Sequence, residues 1–269
     1  MTAAIAAPGR RLHRGLDGLV PVGPSVVAIG QFDGVHLGHR RLVAEAVRRA
    51  DRLGVPAGAV TFDRHPAAVL APDREPPTLT GLDEKAALLT SCGVDFVLAL
   101  PVSAELLRTS SADFVTGLLA GTLGCRAVVV GTNFRFGHRA AGDPALLRDL
   151  GRSHGIEVAV SDLLGVAGQP VSSTRIRAEL SAGRVGAAAR LLDRPHRVRA
   201  VVTGSGSGTV RPVPGALWPG RGRYRVSVGA GERTFDGRLD TTGPTAVRLE
   251  PSDGRVPAPG TRLWLDLLG

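Results

Sequence analysis

Two histidines three residues apart lie in a glycine-rich stretch that follows a short Val- and Ile-rich run and precedes a helical pattern. The stretch reads Gly30-Gln31-Phe32-Asp33-Gly34-Val35-His36-Leu37-Gly38-His39. Its three glycines allow the backbone to come close to a nucleotide, and the helix start offers N–H groups and a positive dipole end to phosphate oxygens. On one side of that first turn, His36 and His39 can both donate to the same phosphate as charge builds up. The spacing predicts phosphate-transfer chemistry rather than two capping histidines.

A second segment combines hydroxyl and guanidinium groups before another helical pattern: Val171-Ser172-Ser173-Thr174-Arg175-Ile176-Arg177. Taken alone, three hydroxyls at a helix start are equally well explained by N-capping. With two arginines beside them, the segment predicts a clamp for a polyphosphate.

Two further polar segments follow predicted strands, namely Thr61-Phe62-Asp63-Arg64-His65-Pro66 and Gly131-Thr132-Asn133-Phe134-Arg135-Phe136-Gly137. The amide of Asn133 is able to reach a phosphate or its metal ion, while Phe134 and Phe136 are equally suited to the core. All four segments lie at carboxyl ends of strands or at helix starts, and one shared site forms there in open parallel sheets.

Short runs rich in Val and Ile alternate with helical patterns along the first 196 residues. The predicted strands are Val26–Ile29, Ala59–Phe62, Phe96–Leu100, Ala127–Val130 and Val158–Val160, and the predicted helices are Arg40–Leu53, Asp83–Ser91, Ser111–Leu123, Pro144–His154 and Thr174–Ser181. Gly54 is expected to end the first helix, and Ser111 and Asp143 to cap two others. The alternation predicts an α/β fold, a doubly wound, Rossmann-like parallel sheet of about five strands.

After Pro195 the pattern changes to short alternating segments separated by Gly and Pro: Val198–Val202, Arg223–Val228, Thr245–Glu250 and Thr261–Leu268. This predicts a small antiparallel, barrel-like β-domain. Because no helix follows Gly204–Gly208, we interpret that stretch as a turn and not as a phosphate loop. The expected organisation is an N-terminal extension over 1–24, a nucleotidyltransferase-type domain over 25–196 and the β-domain over 197–269.

The formal net charge of +9 does not by itself indicate a nucleic-acid partner, because it comes from scattered arginines and Lys85 is the only lysine. Cys92 and Cys125 are far apart, which argues against a zinc site or a disulfide framework. No apolar run approaches the roughly 20 residues of a membrane span, and no secretory signal is evident. We expect a cytoplasmic protein without a membrane partner, and the sequence leaves a homo-oligomer open.

The chain resembles the bifunctional riboflavin kinase/FAD synthetase family of bacteria. Five motifs occur in the family's order: FDGVHLGH at Phe32–His39, TFxxHP at Thr61–Pro66, GxNFRFG at Gly131–Gly137, SSTxIR at Ser172–Arg177 and LLxRPxRV at Leu191–Val198. The resemblance implies an HxGH nucleotidyltransferase that transfers AMP from ATP to FMN, with Mg²⁺ held mainly by the phosphates of ATP. A small departure is Asp193, where the family usually has Gly.

The resemblance and the chemistry together give a set of expected site residues. The catalytic candidates are His36, His39, Asn133 and Arg177, and the candidates for substrate binding are Gly30, Phe32, Asp33, Gly34, Gly38, Phe62, Asp63, His65, Pro66, Arg135, Ser172, Ser173 and Thr174. Of these, Phe62–Pro66 is expected to face the flavin. No metal ligand is expected from the protein itself.

The C-terminal part departs further from the family. Its kinase module has a GxPTAN segment after a glycine-rich stretch, whereas here Gly204–Gly208 leads into Thr209–Ala216 without PTAN. The expected catalytic glutamate is replaced by Ala246. We therefore expect a shortened β-domain without riboflavin kinase activity, kept for packing, for oligomer contacts or as a lid.

Two other functions stay open at this stage. One is a nucleotidyltransferase that acts on a flavin analogue or on another phosphorylated metabolite. The other is a non-catalytic regulator that senses flavin or nucleotide. Because a sensor does not need both histidines, the residues favour an enzyme.

Overall fold

The computed structural model describes residues 11–16, 23–204, 208–243 and 247–269. By compactness the chain divides into two units. We call the first the sheet unit, which comprises the chain up to Pro76 together with Leu82–Leu164. The second, the barrel unit, comprises Pro77–Gly81 and Gly165–Gly269. The domain limits at 25–196 and 197–269 stay a prediction, and the strand nearest to that boundary begins at His196.

The sheet unit is built on six parallel strands in the order β1-β4-β3-β2-β5-β6. The strands are β1 Arg11–Arg14, β2 Ser25–Ile29, β3 Ala57–Phe62, β4 Phe96–Leu100, β5 Cys125–Gly131 and β6 Glu157–Ser161. The helices are α1 Leu37–Leu53, α2 Ala67–Leu70, α3 Leu82–Ser91, α4 Ala104–Arg108, α5 Ser111–Asp113, which continues as a π-helix over Phe114–Thr122, and α6 Pro144–Arg152, with 3₁₀ turns at Pro72–Arg74 and His138–Ala140.

Both faces of this sheet are covered, as the continuous apolar strands require. In β2, Val26 and Ala28 belong to the core that contains α1 and α3, while Val27 and Ile29 belong to the core that contains the π-helix and α6. Gly54 ends α1 in the left-handed conformation, with φ 63°. Asp143 caps α6 as predicted, accepting hydrogen bonds from two backbone amides.

The barrel unit contains a closed antiparallel barrel with strand order β10-β13-β12-β11-β14-β9. Its elements are the hairpin strands β7 Gly165–Val166 and β8 Gln169–Pro170, the helices α7 Ser173–Ser181 and α8 Val185–Leu192, and the strands β9 His196–Val202, β10 Thr209–Pro212, β11 Arg223–Ala230, β12 Arg233–Asp240, β13 Val247–Pro251 and β14 Arg262–Leu268. Alternate side chains of β9 and β14 are buried, as a small barrel filled by side chains requires. The predicted fold class is confirmed.

Several sequence expectations need correction. The sheet has six strands rather than about five, because Arg11–Arg14, in the predicted extension 1–24, pairs in parallel with β4. That strand has one apolar residue in four, so hydrophobic patterning does not reveal it. The cap of the third predicted helix, Ser111–Leu123, is Ser110 and not Ser111.

In the barrel unit, the prediction missed α8 and the strands β7, β8, β10 and β12. Within the predicted strand Thr245–Glu250, the first two residues lie outside the described residues, as does the whole interior of Gly204–Gly208.

Gly58 provides a test of how the sheet is packed. It lies opposite Phe96 on the neighbouring strand β4, and a Cβ atom at Gly58 would overlap the Phe96 ring. Because Phe96 is buried, the ring has to move into an already filled core. We expect Gly58→Ala to lower the free energy of unfolding by about 1–3 kcal/mol in urea denaturation. Gly117→Ala is the control, since nothing lies within 4 Å of a Cβ atom there. Equal stability of the two variants would contradict this account of the core.

Candidate active site

The segment Gly30–His39, which we call the histidine turn, leaves the carboxyl end of β2 and leads into α1. Two of its non-glycine residues, Phe32 and Val35, have positive φ angles of 50° and 39°. The Val35 amide donates to the Phe32 carbonyl at 3.1 Å, which closes the turn. Non-glycine residues rarely adopt this conformation, and it clusters at functional sites. The Phe32 ring is fully buried, and a Cβ atom at Gly30 would lie only 3.0 Å from it, so this position favours glycine.

His36 is the N-cap residue of α1. Its Nδ1 accepts a hydrogen bond from the backbone N–H of His39 at 3.3 Å. A neutral imidazole that accepts at Nδ1 carries its proton on Nε2. The cap therefore fixes the tautomer of His36 as well as the start of the helix.

The rings of His36 and His39 are stacked, with centroids 3.6 Å apart and planes at 16°. The edge of Phe32 supports the His39 ring at 5.3 Å. His39 Nδ1 is buried without a hydrogen-bond partner among the described residues. Most buried nitrogen atoms have a partner, and His39 Nδ1 shares its unpaired state with Arg175 Nε and Trp218 Nε1.

Burial lowers the pKa of His39 well below its ordinary value of 6.5, and electrostatic interactions with His36 and Lys85 lower it further. At neutral pH the ring is therefore uncharged. A neutral imidazole still has one N–H to donate to a phosphate oxygen.

The low pKa of His39 is directly measurable. We expect its ring resonances in an NMR titration to show no protonation near pH 6.5. Below that pH an unfolded chain binds a proton that the folded chain does not, so the His39 contribution to the free energy of unfolding falls as pH drops below 6.5. A midpoint near 6.5 for His39, similar to that of an exposed histidine, would contradict the buried stacked geometry.

The segment Phe62–Pro66, which we call the acceptor turn, follows the carboxyl end of β3. The Asp63 carboxylate accepts from the Val102 amide at 2.9 Å, and the Asp63 amide donates to the Leu100 carbonyl. His65 Nδ1 accepts from the Ala67 amide at 3.1 Å. Phe62 is half-buried, and Pro66 precedes the short helix α2. Hydrogen bonds to the residues around it therefore hold this turn in a fixed conformation.

The predicted segment around Asn133 follows β5. Asn133 is exposed, and its side-chain oxygen lies above Gly131, 3.1 Å from where a Cβ atom would stand. Arg135 is also exposed and donates to the adjacent carbonyl of Phe134. Because β3, β2 and β5 are neighbours in a parallel sheet, all three segments of the sheet unit emerge at one edge.

The fourth segment, Ser172–Arg177, belongs to the barrel unit. Ser172 is the N-cap of α7 and accepts from the Arg175 amide at 3.2 Å. Ser173 is half-buried and Thr174 is exposed. Ser172 therefore acts as an N-cap, and Thr174 leaves a polar group exposed at this helix start. A role of the segment in binding a polyphosphate stays a prediction.

The two arginines of this segment differ in their surroundings. Arg175 Nη1 donates to the carbonyls of Val166 and Gln169 at 3.0 Å each, so Arg175 anchors the β7–β8 hairpin. Its share in a polyphosphate clamp stays a prediction: Nη1 is engaged by these carbonyls, while Nε is buried and has no hydrogen-bond partner among the described residues. Arg177 Nε donates to the Pro77 carbonyl at 2.8 Å.

The site also contains a residue that sequence reasoning missed. Lys85, on α3, is buried and donates to oxygens of both the histidine turn and the acceptor turn. A single lysine in an otherwise arginine-rich chain is the one signal that singles it out.

The described residues lack two further kinds of feature. They contain no group of three or more His, Cys, Asp or Glu side chains suited to a metal ion. No helix within them is long and apolar enough to span a membrane.

Comparisons with known proteins relate this chain to FAD synthetases and to bifunctional flavin enzymes. A family model described as FAD synthetase matches residues 22–175. The chain is 39% identical over 189 residues to the bifunctional riboflavin kinase/FMN adenylyltransferase of Pseudomonas fluorescens, which covers 70% of this chain and 60% of that protein. It is 32% identical over 251 residues to the protein of the same description from Escherichia coli K12, covering 89% and 80%. The chain thus spans less than two thirds of the length of the first relative.

Among solved structures, a protein described as a macrolide-efflux protein from Streptococcus pneumoniae matches with a TM-score of 0.83. The match covers 96% of this chain and 90% of that one at 21% identity. At that identity the likeness shows a shared fold alone.

Proposed function

This chain belongs to the FAD synthetase family of nucleotidyltransferases, and we propose that it transfers AMP from ATP to FMN, forming FAD and pyrophosphate. The observation that carries the proposal is the stacked pair of His36 and His39 at the start of α1, beyond the carboxyl end of β2. The family membership agrees with the resemblance carried by the five sequence motifs.

In this reaction the terminal phosphate of FMN attacks the α-phosphorus of ATP, and the bond to the pyrophosphate oxygen breaks. His36 donates from Nε2–H to the α-phosphate, since its Nδ1 is used by the cap. His39 is the second donor, because its uncharged ring carries one N–H group. Preorganised donors of this kind stabilise the charge that builds up on the phosphoryl oxygens.

The leaving pyrophosphate also needs partners. We assign these to Ser172, Ser173 and Thr174 at the start of α7 and to Arg177, as the resemblance of the SSTxIR motif implies. Hydroxyl groups, a helix N-terminus and a guanidinium group all bind phosphate oxygens.

No general base is needed. The second pKa of a phosphate monoester is about 6, so the attacking phosphate of FMN is already ionised at neutral pH. The protein therefore acts by positioning and by neutralising charge.

Mg²⁺ fits this site as the complex of the ion with ATP. The described residues offer no cluster of acidic side chains, and the exposed side-chain oxygen of Asn133 is the candidate protein ligand in the sheet unit. Such an ion would supply further charge neutralisation for the phosphates when bound.

Replacing His39 tests the role of the histidine pair. We expect His39→Ala to lower kcat for FAD formation by about 10²-fold or more, with little change in the Kd for ATP, because one preformed donor is lost. His154→Ala is the matched control, since His154 is exposed and contacts Thr116 through a single hydrogen bond. A kcat of His39→Ala equal to that of the control would remove the pair from the mechanism and favour a sensor.

We further propose that riboflavin kinase activity has been lost. The segment Thr209–Ala216 carries no PTAN sequence where the resemblance expects one. In the barrel, the inward-facing residues of β9 and β14 are apolar and almost fully buried: Val198, Ala200, Val202, Leu263, Leu265 and Leu267. An interior filled in this way supports a structural role for the barrel.

Comparing two acceptors tests this proposal. With ATP and Mg²⁺, we expect FMN to be converted into FAD with release of pyrophosphate, and riboflavin to give no FMN, as monitored by chromatography of the flavins. Formation of FMN from riboflavin at a rate comparable to FAD formation would show an active kinase. FAD absent from the FMN reaction, with ATP still bound, would instead favour another phosphorylated acceptor.

A further inference from the structure

Lys85 is the only lysine of the chain, and only 4% of its surface is exposed. Burying an ammonium group is costly unless each of its protons finds an acceptor. Here Nζ donates to the carbonyl of Phe62 at 2.8 Å, to the carbonyl of Gln31 at 3.1 Å and to Oγ1 of Thr61 at 3.2 Å. Three protons thus meet three oxygen atoms, which leaves Lys85 no spare donor for a phosphate.

The charge of this group is partly compensated. Burial lowers the pKa of Lys85 to about 8, while the carboxylates of Asp33 and Asp63 act in the opposite direction. At neutral pH the group is therefore still an ammonium with all three protons. One carboxylate comes from the histidine turn and the other from the acceptor turn.

The three acceptors lie on two different segments. Gln31 belongs to the histidine turn, whereas Thr61 and Phe62 lie at the end of β3, where the acceptor turn begins. The same segments are joined directly by hydrogen bonds from Thr61 Oγ1 to the Gln31 carbonyl at 3.0 Å and from Gln31 Nε2 to the Arg64 carbonyl at 3.1 Å. Lys85, from a third element, joins this network at its centre.

We propose that Lys85 is a positioning residue that holds the histidine turn and the acceptor turn in one fixed arrangement, so that the histidine pair and the bound acceptor face each other correctly. This assignment rests on the proposed function, in which the first turn serves ATP and the second serves FMN. Lys85 contacts neither substrate in this scheme. It acts through the backbone of both turns.

The expected size of the effect follows from the geometry of phosphoryl transfer. Reacting atoms have to be held about 3–3.5 Å apart and aligned, and a displacement of about 1 Å costs on the order of 10²-fold in rate. Without the ammonium group, the Gln31 carbonyl keeps the Thr61 hydroxyl as a donor, but the Phe62 carbonyl loses its Lys85 donor. The two turns would then move relative to each other.

The test compares Lys85→Met with Leu89→Ala in the full chain. Methionine keeps an unbranched side chain of similar length and removes all three donors. Leu89 is fully buried on the same helix and belongs to the apolar core, so its truncation weakens helix packing without removing a hydrogen bond to either turn.

We expect Lys85→Met to lower kcat for FAD formation by about 10²-fold while the Kd for ATP changes by less than about threefold. Leu89→Ala is expected to lower the Tm and to keep kcat within about threefold of the wild type at a temperature where it is folded. A kcat of Lys85→Met within threefold of the wild type, or equal losses of kcat in both variants, would overturn the proposal.

A second pair of variants keeps the proposal testable if Lys85→Met does not fold. Thr61→Val removes the oxygen that bridges Lys85 and Gln31, whereas Thr61→Ser keeps a hydroxyl in its place. A lower kcat in the valine variant alone supports the positioning network, and equal kcat values of the two variants contradict it.

A third readout needs no reaction. The charge of Lys85 contributes to the low pKa of His39, so Lys85→Met should raise the pKa of His39 in an NMR titration, and Leu89→Ala should leave it unchanged. An unchanged pKa of His39 in Lys85→Met would show that Lys85 does not act on the histidine pair. If the wild type forms no FAD, the proposed function fails, and this titration still decides whether Lys85 influences the histidine pair.

Discussion

The amide groups at the start of α1 need hydrogen-bond acceptors, and the site depends on the fact that a histidine supplies one of them. By capping His39 N–H with its own Nδ1, His36 takes a defined tautomer and brings the two imidazole rings into a stack. Ser or Asp would cap a helix equally well. Neither would leave an N–H group beside the helix N-terminus, where a phosphate binds. A histidine at this cap is therefore explained by chemistry, and the helix start gains its stability at the same time.

Around this cap the sheet unit contains several features that are unfavourable in free energy. Two non-glycine residues of the histidine turn have positive φ angles, and both an imidazole and an ammonium group are buried. Such features persist only where the surrounding structure holds them in place. Here the buried groups share one network: Lys85 is fixed by oxygens of two turns, and its charge helps to keep His39 neutral. The hydrogen bonds that compensate for the burial of Lys85 are thus the same ones to which we assign the positioning of the two turns.

The barrel unit holds α7, the helix that Ser172 caps, through hydrogen bonds near its C-terminal end and from its side chains. The Gly220 amide donates to the Leu180 carbonyl at the end of α7, and the Tyr224 hydroxyl donates to the Gly220 carbonyl. Thr78 bonds to Gly215, and the adjacent Pro77 accepts from Arg177, so the short segment Pro77–Gly81 links α7 to the barrel. Of the three roles left open for the β-domain, packing is thus the one with observed contacts. The barrel unit thus has an observed structural role, because Gly220 and Tyr224 hold the end of α7.

Local signals in the sequence are enough to predict the histidine turn, the cap at Asp143 and the Gly54 end of α1, because each depends on residues within a few positions of one another. The edge strand Arg11–Arg14 escapes prediction, since only its pairing with β4 makes it a strand. Lys85 escapes for a deeper reason. Its three acceptors are two backbone carbonyls and a threonine hydroxyl, and backbone carbonyls are present in every residue whatever the side chain. A pattern of side chains therefore does not predict these acceptors. A residue that acts through main-chain atoms is identified only once the fold shows which atoms lie together.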